Sequence, residues 1–186
     1  MFAGAAAAQP DPGIVQKLRE GGYVLYMRHA STDFSQNDAR MTSYEDCASQ
    51  RNLTDKGREE AREIGAYVKR LGIPIGEVLA SPYCRTMETA RLAFGTARAS
   101  NEVRGGPVDA NRYEALKKLL STQVAKGRNL VISSHGNPFQ AVAGSPYLVE
   151  GEIAVVRPEG EMNFSVVARI RPQDWSGLRA AGGRAS

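Results

Sequence analysis

The chain has 186 residues, of which 42% are hydrophobic and 24% charged, so its length and composition fit one globular domain with a substantial core. Its apolar runs fall short of the roughly 18 residues that a membrane-spanning helix requires, which argues against membrane insertion. The net charge of +4 suits an anionic substrate. Basic and acidic residues alternate, however, and no basic stripe with interleaved aromatic residues predicts a nucleic-acid partner.

The first residues are rich in alanine up to Ala8 and continue into a proline-containing stretch. Small residues of this kind resemble the end of a secretory leader, although a basic start and an adequate apolar segment are lacking. We expect residues 1–10 to be flexible, either as a leader remnant or as an alanine-rich start, and a periplasmic or exported location is slightly favoured over a cytoplasmic one. The predicted domain covers residues 11–175, and a disordered tail is expected over residues 176–186.

Strand-like and helical patterns alternate along the domain. Predicted strands cover residues 23–28, 77–80, 102–108 (irregular), 129–133, 153–156 and 164–170, the last two joined as a hairpin through residues 158–160. Predicted helices cover residues 11–20, a segment from an N-cap at Thr54 to residue 71, a segment that begins at Ser81-Pro82, and residues 113–126. This order predicts a three-layer α/β/α fold, with a mainly parallel central sheet flanked by helices.

Two of the predicted strands lead directly to the only two histidines of the chain, His29 and His135. Because ligands bind outside the carboxyl ends of parallel strands, we expect both imidazoles to meet at one edge of the sheet. The helix that begins at Ser81-Pro82 offers a second candidate anion site, since its first amides have no partner within the helix. Between the first strand and the Thr54 cap lies a long polar loop, residues 31–52, of a length that is usually functional or disordered.

The two cysteines, Cys47 and Cys84, are too few for a structural zinc site and do not form a CxxC pair. They are either free thiols or one disulfide.

Four short motifs occur in an order that resembles the histidine phosphatase superfamily, also called phosphoglycerate-mutase-like, and in particular its small single-domain phosphatases. Residues 28–32, RHAST, are similar to the family's RHGxT signature. Residues 53–57, LTDKG, are similar to LTxxG, residues 81–90 to SPxxRTxETA, and residues 134–136 to SHG. Each motif alone is a modest signal, but all four in order form a strong one.

The resemblance implies that His29 is the nucleophile that becomes phosphohistidine, and that Arg28, Arg85 and His135 complete the phosphate pocket. It also implies that the Thr32 hydroxyl lines this pocket. These residue types suit the chemistry, because arginine forks neutralise the charge of a phosphoryl group and a neutral imidazole is a good nucleophile near neutral pH. No metal or other cofactor is implied.

The Gly136 amide, next to His135, is a further candidate for phosphate binding. The leaving group also needs a proton, and one branch of the family has Asp at the position of Gly136. Here the acid must come from elsewhere, with Asp109 as the first choice and Glu114 and Glu152 as alternatives. Two further departures from the family pattern are Ala30, in place of the usual Gly, and Ser35, in place of an asparagine.

The resulting hypothesis is a metal-independent phosphatase that acts on a small phosphorylated substrate through phosphohistidine. A protein phosphohistidine phosphatase or a mutase of the same family is the alternative, and a catalytically idle phosphate-binding module is the alternative from another class. The sequence leaves the substrate and the oligomeric state open.

Overall fold

A computed structural model describes residues 13–105, 111 and 113–179, which form five α-helices and one six-stranded sheet. The helices are α1 (Ile14–Glu20), α2 (Asp55–Arg70), α3 (Cys84–Phe94), α4 (Glu114–Ser121) and α5 (Gly136–Ala143). The strands are β1 (Val24–Arg28), β2 (Ile75–Ala80), β3 (Arg98–Ala99), β4 (Asn129–Ser134), β5 (Ile153–Gly160) and β6 (Asn163–Ile170). Short 3₁₀ helices cover Cys47–Ser49, Asn101–Val103 and Pro172–Gly177.

The strands lie in the order β3-β2-β4-β1-β5-β6, and the first four are parallel. Strands β5 and β6 run antiparallel and form one edge as a hairpin. The predicted α/β fold with a mainly parallel sheet is therefore confirmed, with the hairpin making the sheet mixed. In the centre, β1 pairs with β4 from Val24 opposite Leu130 to Arg28 opposite Ser134. This register brings the residues that follow the two strands to the same sheet edge.

Alternate side chains of β1 point to opposite faces of the sheet, as a strand buried on both faces requires. Leu25 and Met27 belong to a core that includes residues of α1, α2 and α3 and the buried Trp175. Val24 and Tyr26 belong to the opposite core, which includes residues of α4 and α5. The sheet is thus the middle of three layers. The polar residues at the edge that follows β1 and β4 are the candidates for a functional site.

Helix α2 starts where the sequence predicts, because the Thr54 hydroxyl accepts a hydrogen bond from the Gly57 amide at 2.9 Å. A β-carbon on Gly57 would lie 2.0 Å from the Ser31 carbonyl oxygen. Because Gly57, the glycine of the LTxxG motif, has no side chain, the start of α2 can pack closely against the loop that follows His29.

Three predicted boundaries are wrong. The hairpin turn consists of Glu161 and Met162, both with positive φ (48° and 65°), and not of residues 158–160, which continue β5. Helix α4 ends at Ser121 and does not reach residue 126. In place of an irregular strand from residue 102, a 3₁₀ helix spans Asn101–Val103, while residues 106–110 lie outside the described part of the chain.

Residues 1–10 and 180–186 also lie outside the described part, as do the predictions made for them. The expectation of disorder from residue 176 is wrong for the first residues of that range, since Ser176 and Gly177 complete a 3₁₀ helix and Leu178, 8% exposed, packs into the core with Trp175. No helix in the described part of the chain is long and apolar enough to cross a membrane.

Candidate active site

The two histidines meet at the sheet edge, as the positions of their strands predict. The His29 amide donates to the Ser134 carbonyl at 3.0 Å, which extends the β1–β4 pairing by one residue. The imidazole ring centroids lie 5.6 Å apart, with the ring planes at 67°. The placement of both rings is therefore a direct consequence of parallel strand register.

Both rings line a cavity of about 150 Å³. This is roughly the liquid volume of five water molecules, enough for a phosphoryl group with some water. Its wall is strongly basic, with three arginines among the lining residues. These residues are Arg28, His29, Arg51, Tyr83, Arg85, Gly105, His135, Gly136, Asn137 and Tyr147.

The His29 imidazole is neutral and keeps one nitrogen lone pair free. Its Nδ1 lies 3.0 Å from the Ala30 carbonyl oxygen, and because a carbonyl only accepts, Nδ1 carries the proton and the lone pair is on Nε2. Burial is the largest cause that lowers the pKa of His29, and the charges of Arg85 and Arg28 lower it further. The resulting pKa of about 3 leaves the imidazole unprotonated at neutral pH.

His135 is held from two sides. Its Nε2 lies 2.9 Å from the Ser81 hydroxyl oxygen, and its carbonyl accepts from the Tyr26 hydroxyl at 2.8 Å. Burial, followed by the neighbouring His29 and Arg85, moves the pKa of His135 well below its ordinary value. In the unliganded protein this ring is therefore neutral and has a single N–H to donate.

Arg28 and Arg85 each contact an acidic residue outside the lining. The Arg28 guanidinium donates to the Leu148 carbonyl at 2.8 Å and lies 3.5 Å from a Glu150 oxygen. The Arg85 guanidinium forms a two-point pair with Asp38, at 3.0 and 3.1 Å. Both arginines are thereby held at the cavity, and their charges are partly offset.

All three lining arginines have a buried Nε–H with no partner among the described residues: Arg28, Arg51 and Arg85. A buried donor without an acceptor is costly, and such groups mark places where a ligand or ordered water completes the bonding. The charges of these arginines would attract an oxyanion into the cavity that they line. Sequence reasoning missed Arg51, because it stands in a polar loop outside every motif.

Thr32 does not line the cavity. Its hydroxyl donates to Glu150 Oε1 at 2.6 Å and its amide donates to Glu150 Oε2 at 3.1 Å. Gly136 does line it, at the start of α5, and a β-carbon there would lie 2.2 Å from the Tyr147 ring. A side chain at position 136 would therefore collide with Tyr147.

The candidate acids differ in how the structure places them. Glu114 is exposed in the first turn of α4. Glu152, 3% exposed, accepts from the Val149 amide at 2.8 Å and lies 3.6 Å from Arg169. Neither lines the cavity, while Asp109 lies outside the described residues.

The start of α3 differs from the sequence prediction. The helix begins at Cys84, and the Cys84 amide donates to Gln50 Oε1 at 3.0 Å and not to an anion. The Ser81 hydroxyl contacts His135 and does not cap the helix. The second residue of α3, Arg85, lines the cavity together with the first residues of α5.

Cys47 and Cys84 are joined as a disulfide, which decides between the two alternatives left open by the sequence. The bond ties the polar loop to the first residue of α3. Glu88, further along α3, pairs with Arg58 of α2 at 2.7 Å and does not line the cavity. Within the described ranges, no group of three or more His, Cys, Asp or Glu side chains is arranged to hold a metal ion.

The comparisons with known proteins agree with the motifs. Residues 24–106 match the model of the histidine phosphatase superfamily, branch 1. The protein histidine phosphatase SixA, solved in complex with tungstate, is 22% identical over 82% of this chain and 98% of that chain, with a TM-score of 0.58. A phosphoserine phosphatase from Entamoeba histolytica, solved with phosphoserine, is 12% identical over 82% of this chain and 98% of that chain, with a TM-score of 0.57.

No curated protein matches the chain in sequence. The fold, with its paired histidines at one sheet edge, is the α/β fold of the phosphoglycerate-mutase-like proteins. The resemblance to the histidine phosphatase superfamily is thereby confirmed.

Proposed function

We propose that the protein is a metal-independent phosphatase that hydrolyses phosphomonoesters through a phosphohistidine on His29. The observation that carries this proposal is one cavity lined by three arginines and by the neutral imidazole of His29. Phosphoryl transfer is catalysed mainly by positioning and by charge stabilisation, and this wall offers both.

In the first step, the Nε2 lone pair of His29 forms a bond to phosphorus while the phosphorus–oxygen bond of the ester breaks. The departing oxygen takes a proton from a general acid, for which Asp109 is the first candidate, and leaves as the alcohol. In the second step, water attacks phosphorus, the phosphorus–nitrogen bond breaks, and inorganic phosphate forms. The guanidinium groups of Arg28 and Arg85 stabilise the charge of the phosphoryl oxygens in both steps.

Trapping of the intermediate tests the nucleophile. Protein mixed with a labelled phosphomonoester and quenched rapidly in alkaline detergent should retain phosphate that is stable in base and lost in acid. His29→Ala should retain none, and EDTA should leave both label and turnover of the unsubstituted protein intact. Turnover that needs added metal, or that persists in His29→Ala, would contradict the mechanism. A protein that binds phosphate without turning over any ester would be the idle binding module.

One observation favours a second candidate, a protein phosphohistidine phosphatase. No carboxylate is found among the described residues that line the cavity. An imidazole leaving group needs less help from a strong acid than an alkoxide does. The SixA structure belongs to a protein histidine phosphatase, but at 22% identity it supports only the fold.

Asp109→Asn separates the two candidates. If Asp109 is the acid for ester substrates, the variant should lose turnover of a phosphomonoester and keep that of a phosphohistidine peptide. Equal turnover of the ester by both proteins would exclude Asp109 as the acid. A parent protein that turns over only the phosphohistidine peptide would select the second candidate.

A further inference from the structure

Arg51 lines the cavity although it lies outside the four motifs. Its backbone amide donates to Asp38 at 2.9 Å, and its carbonyl accepts from Arg85 Nη1 at 3.3 Å. Its guanidinium carbon lies 5.1 Å from the centre of the Phe34 ring, and its Nε is buried without a partner. Arg51 therefore contacts Arg85, a candidate phosphate-binding residue, through its backbone, while its side chain forms no hydrogen bond with another described residue.

Charge distinguishes Arg51 from the other two lining arginines. Arg28 lies beside Glu150 and Arg85 forms its two-point pair with Asp38. Among the residues that the structure describes, no acidic side chain lies within salt-bridge distance of Arg51. The two histidines are neutral, so Arg51 carries the positive charge of the wall that no carboxylate of the described residues pairs with.

The loop holds Arg51 in place despite its lack of regular structure. The preceding residue, Gln50, is 1% exposed and its side chain accepts from the Cys84 amide at 3.0 Å. The Cys47–Cys84 disulfide joins residues on either side of Arg51 in the chain. At the base of the loop, the Asp33 amide donates to the Asn52 carbonyl at 3.0 Å. Because the chain is held on both sides of Arg51, this residue loses less conformational freedom when it binds an anion than an arginine in a loosely held loop would.

We propose that Arg51 is a further phosphate-binding residue of this site. Its guanidinium neutralises the part of the phosphoryl dianion's charge that Arg28 and Arg85 leave unbalanced, because each of those two arginines lies beside a carboxylate. The proposal rests on the proposed function, because it assigns Arg51 to the same cavity. The ligand class is a tetrahedral oxyanion, free or as part of a phosphorylated substrate.

Binding of orthovanadate and inorganic phosphate to the full chain tests this assignment. Arg51→Gln should weaken both by about 10- to 100-fold, as expected when a hydrogen-bonding charged partner is lost. Arg51→Lys keeps the charge without the planar fork and should lie between the parent and Arg51→Gln. Arg40→Gln is the matched control, since it removes the same charge from an exposed position on the same loop.

The salt dependence of vanadate affinity is a second measurement. It would not change in the variant if Arg51 had only a structural role. Affinity for vanadate should fall with added sodium chloride in the parent protein and fall less steeply in Arg51→Gln, because one charge contact is gone. Thermal unfolding and circular dichroism of each variant verify that the fold is kept.

The outcomes separate this inference from the proposed function. Unchanged vanadate affinity in a folded Arg51→Gln, with binding by the parent protein intact, overturns the role of Arg51 and leaves the phosphatase proposal standing. Equal weakening in Arg40→Gln would assign the effect to long-range charge and also overturn it. Failure of the parent protein to bind either oxyanion would instead refute the proposed function.

Discussion

The two sides of the cavity are built in different ways. On the sheet side, which we define as Arg28, His29, Ser81 and His135, groups follow strands β1, β2 and β4 and their positions come from strand pairing. On the loop side, defined as Asp38 and Arg51, groups come from the segment of residues 31–52, which contains a single 3₁₀ helix and is held by a disulfide. The sheet side carries the proposed nucleophile, His29, and the loop side carries the charge of Arg51.

This difference suggests a division of labour. A nucleophile has to be placed within a fraction of an ångström, and paired strands in a packed core provide that rigidity. A charge that binds an oxyanion tolerates more displacement, because electrostatic attraction falls off slowly with distance. Substitutions on the sheet side should therefore affect turnover first, and those on the loop side should affect affinity first.

The largest expected effect lies on the sheet side. His29→Ala should lower turnover of any phosphomonoester by about 10⁴-fold or more, because the covalent route is lost. Its affinity for vanadate in calorimetry should stay within a few-fold of the parent value, since the arginines remain. A loss of vanadate affinity as large as the loss of turnover would show that the sheet side and the loop side do not have separate roles.

Removal of the disulfide should act mainly through the loop side. Cys47→Ser combined with Cys84→Ser should lower the free energy of unfolding by about 2–4 kcal/mol, measured by urea unfolding. Vanadate affinity should fall while the turnover number at saturating substrate changes little. In an Arg51→Gln background, the same cysteine substitutions should weaken vanadate binding much less. If the cysteine substitutions weakened vanadate binding in the Arg51→Gln protein as much as in the parent protein, the disulfide would not act through Arg51.

Acid should destabilise the fold through the sheet side. Both histidines have a pKa in the folded state below the unfolded value of about 6.5, so the unfolded chain binds more protons at mildly acidic pH. Their stabilising contribution is complete above that value and declines as pH falls, by at most about 1.4 kcal/mol per pH unit for each histidine. For His29 the decline continues to about pH 3.

Urea unfolding between about pH 7 and 5, in buffers without oxyanions, measures this slope. His29→Ala removes one of the two titrating groups, and carboxylates common to both proteins cancel in the difference. The variant should therefore lose less stability over this interval than the parent protein. Equal slopes would contradict the neutral, buried state of His29.

The smallest expected effect concerns the support of His135. Ser81→Ala removes the hydroxyl that lies 2.9 Å from His135 Nε2 and should cost about 1 kcal/mol of unfolding free energy. Because Ser81 is on the sheet side, turnover should fall while vanadate affinity is kept. Ser81→Thr, which retains a hydroxyl, is the matched control, and an equal loss in both variants would assign the effect to packing.

The local pattern of residues predicts the sheet side well. Each histidine follows an apolar strand, and parallel pairing of those strands leaves little freedom in where the rings can lie. The N-cap at Thr54 was predictable for the same reason, since its hydrogen bond to Gly57 is local in sequence. The hairpin turn was misplaced because Glu161 and Met162 take positive φ, which glycine usually provides, while Gly160 continues β5.

What the sequence by itself determined is thus the order of elements, the three-layer class, and the four residues Arg28, His29, Arg85 and His135 around one sheet edge. Tertiary structure alone decided that Cys47 pairs with Cys84, that Thr32 serves Glu150, and that Arg51 reaches the cavity. The physical reason is the range of the interactions. Strands and caps are set by neighbours along the chain, whereas an irregular loop is placed only by the distant groups that it contacts.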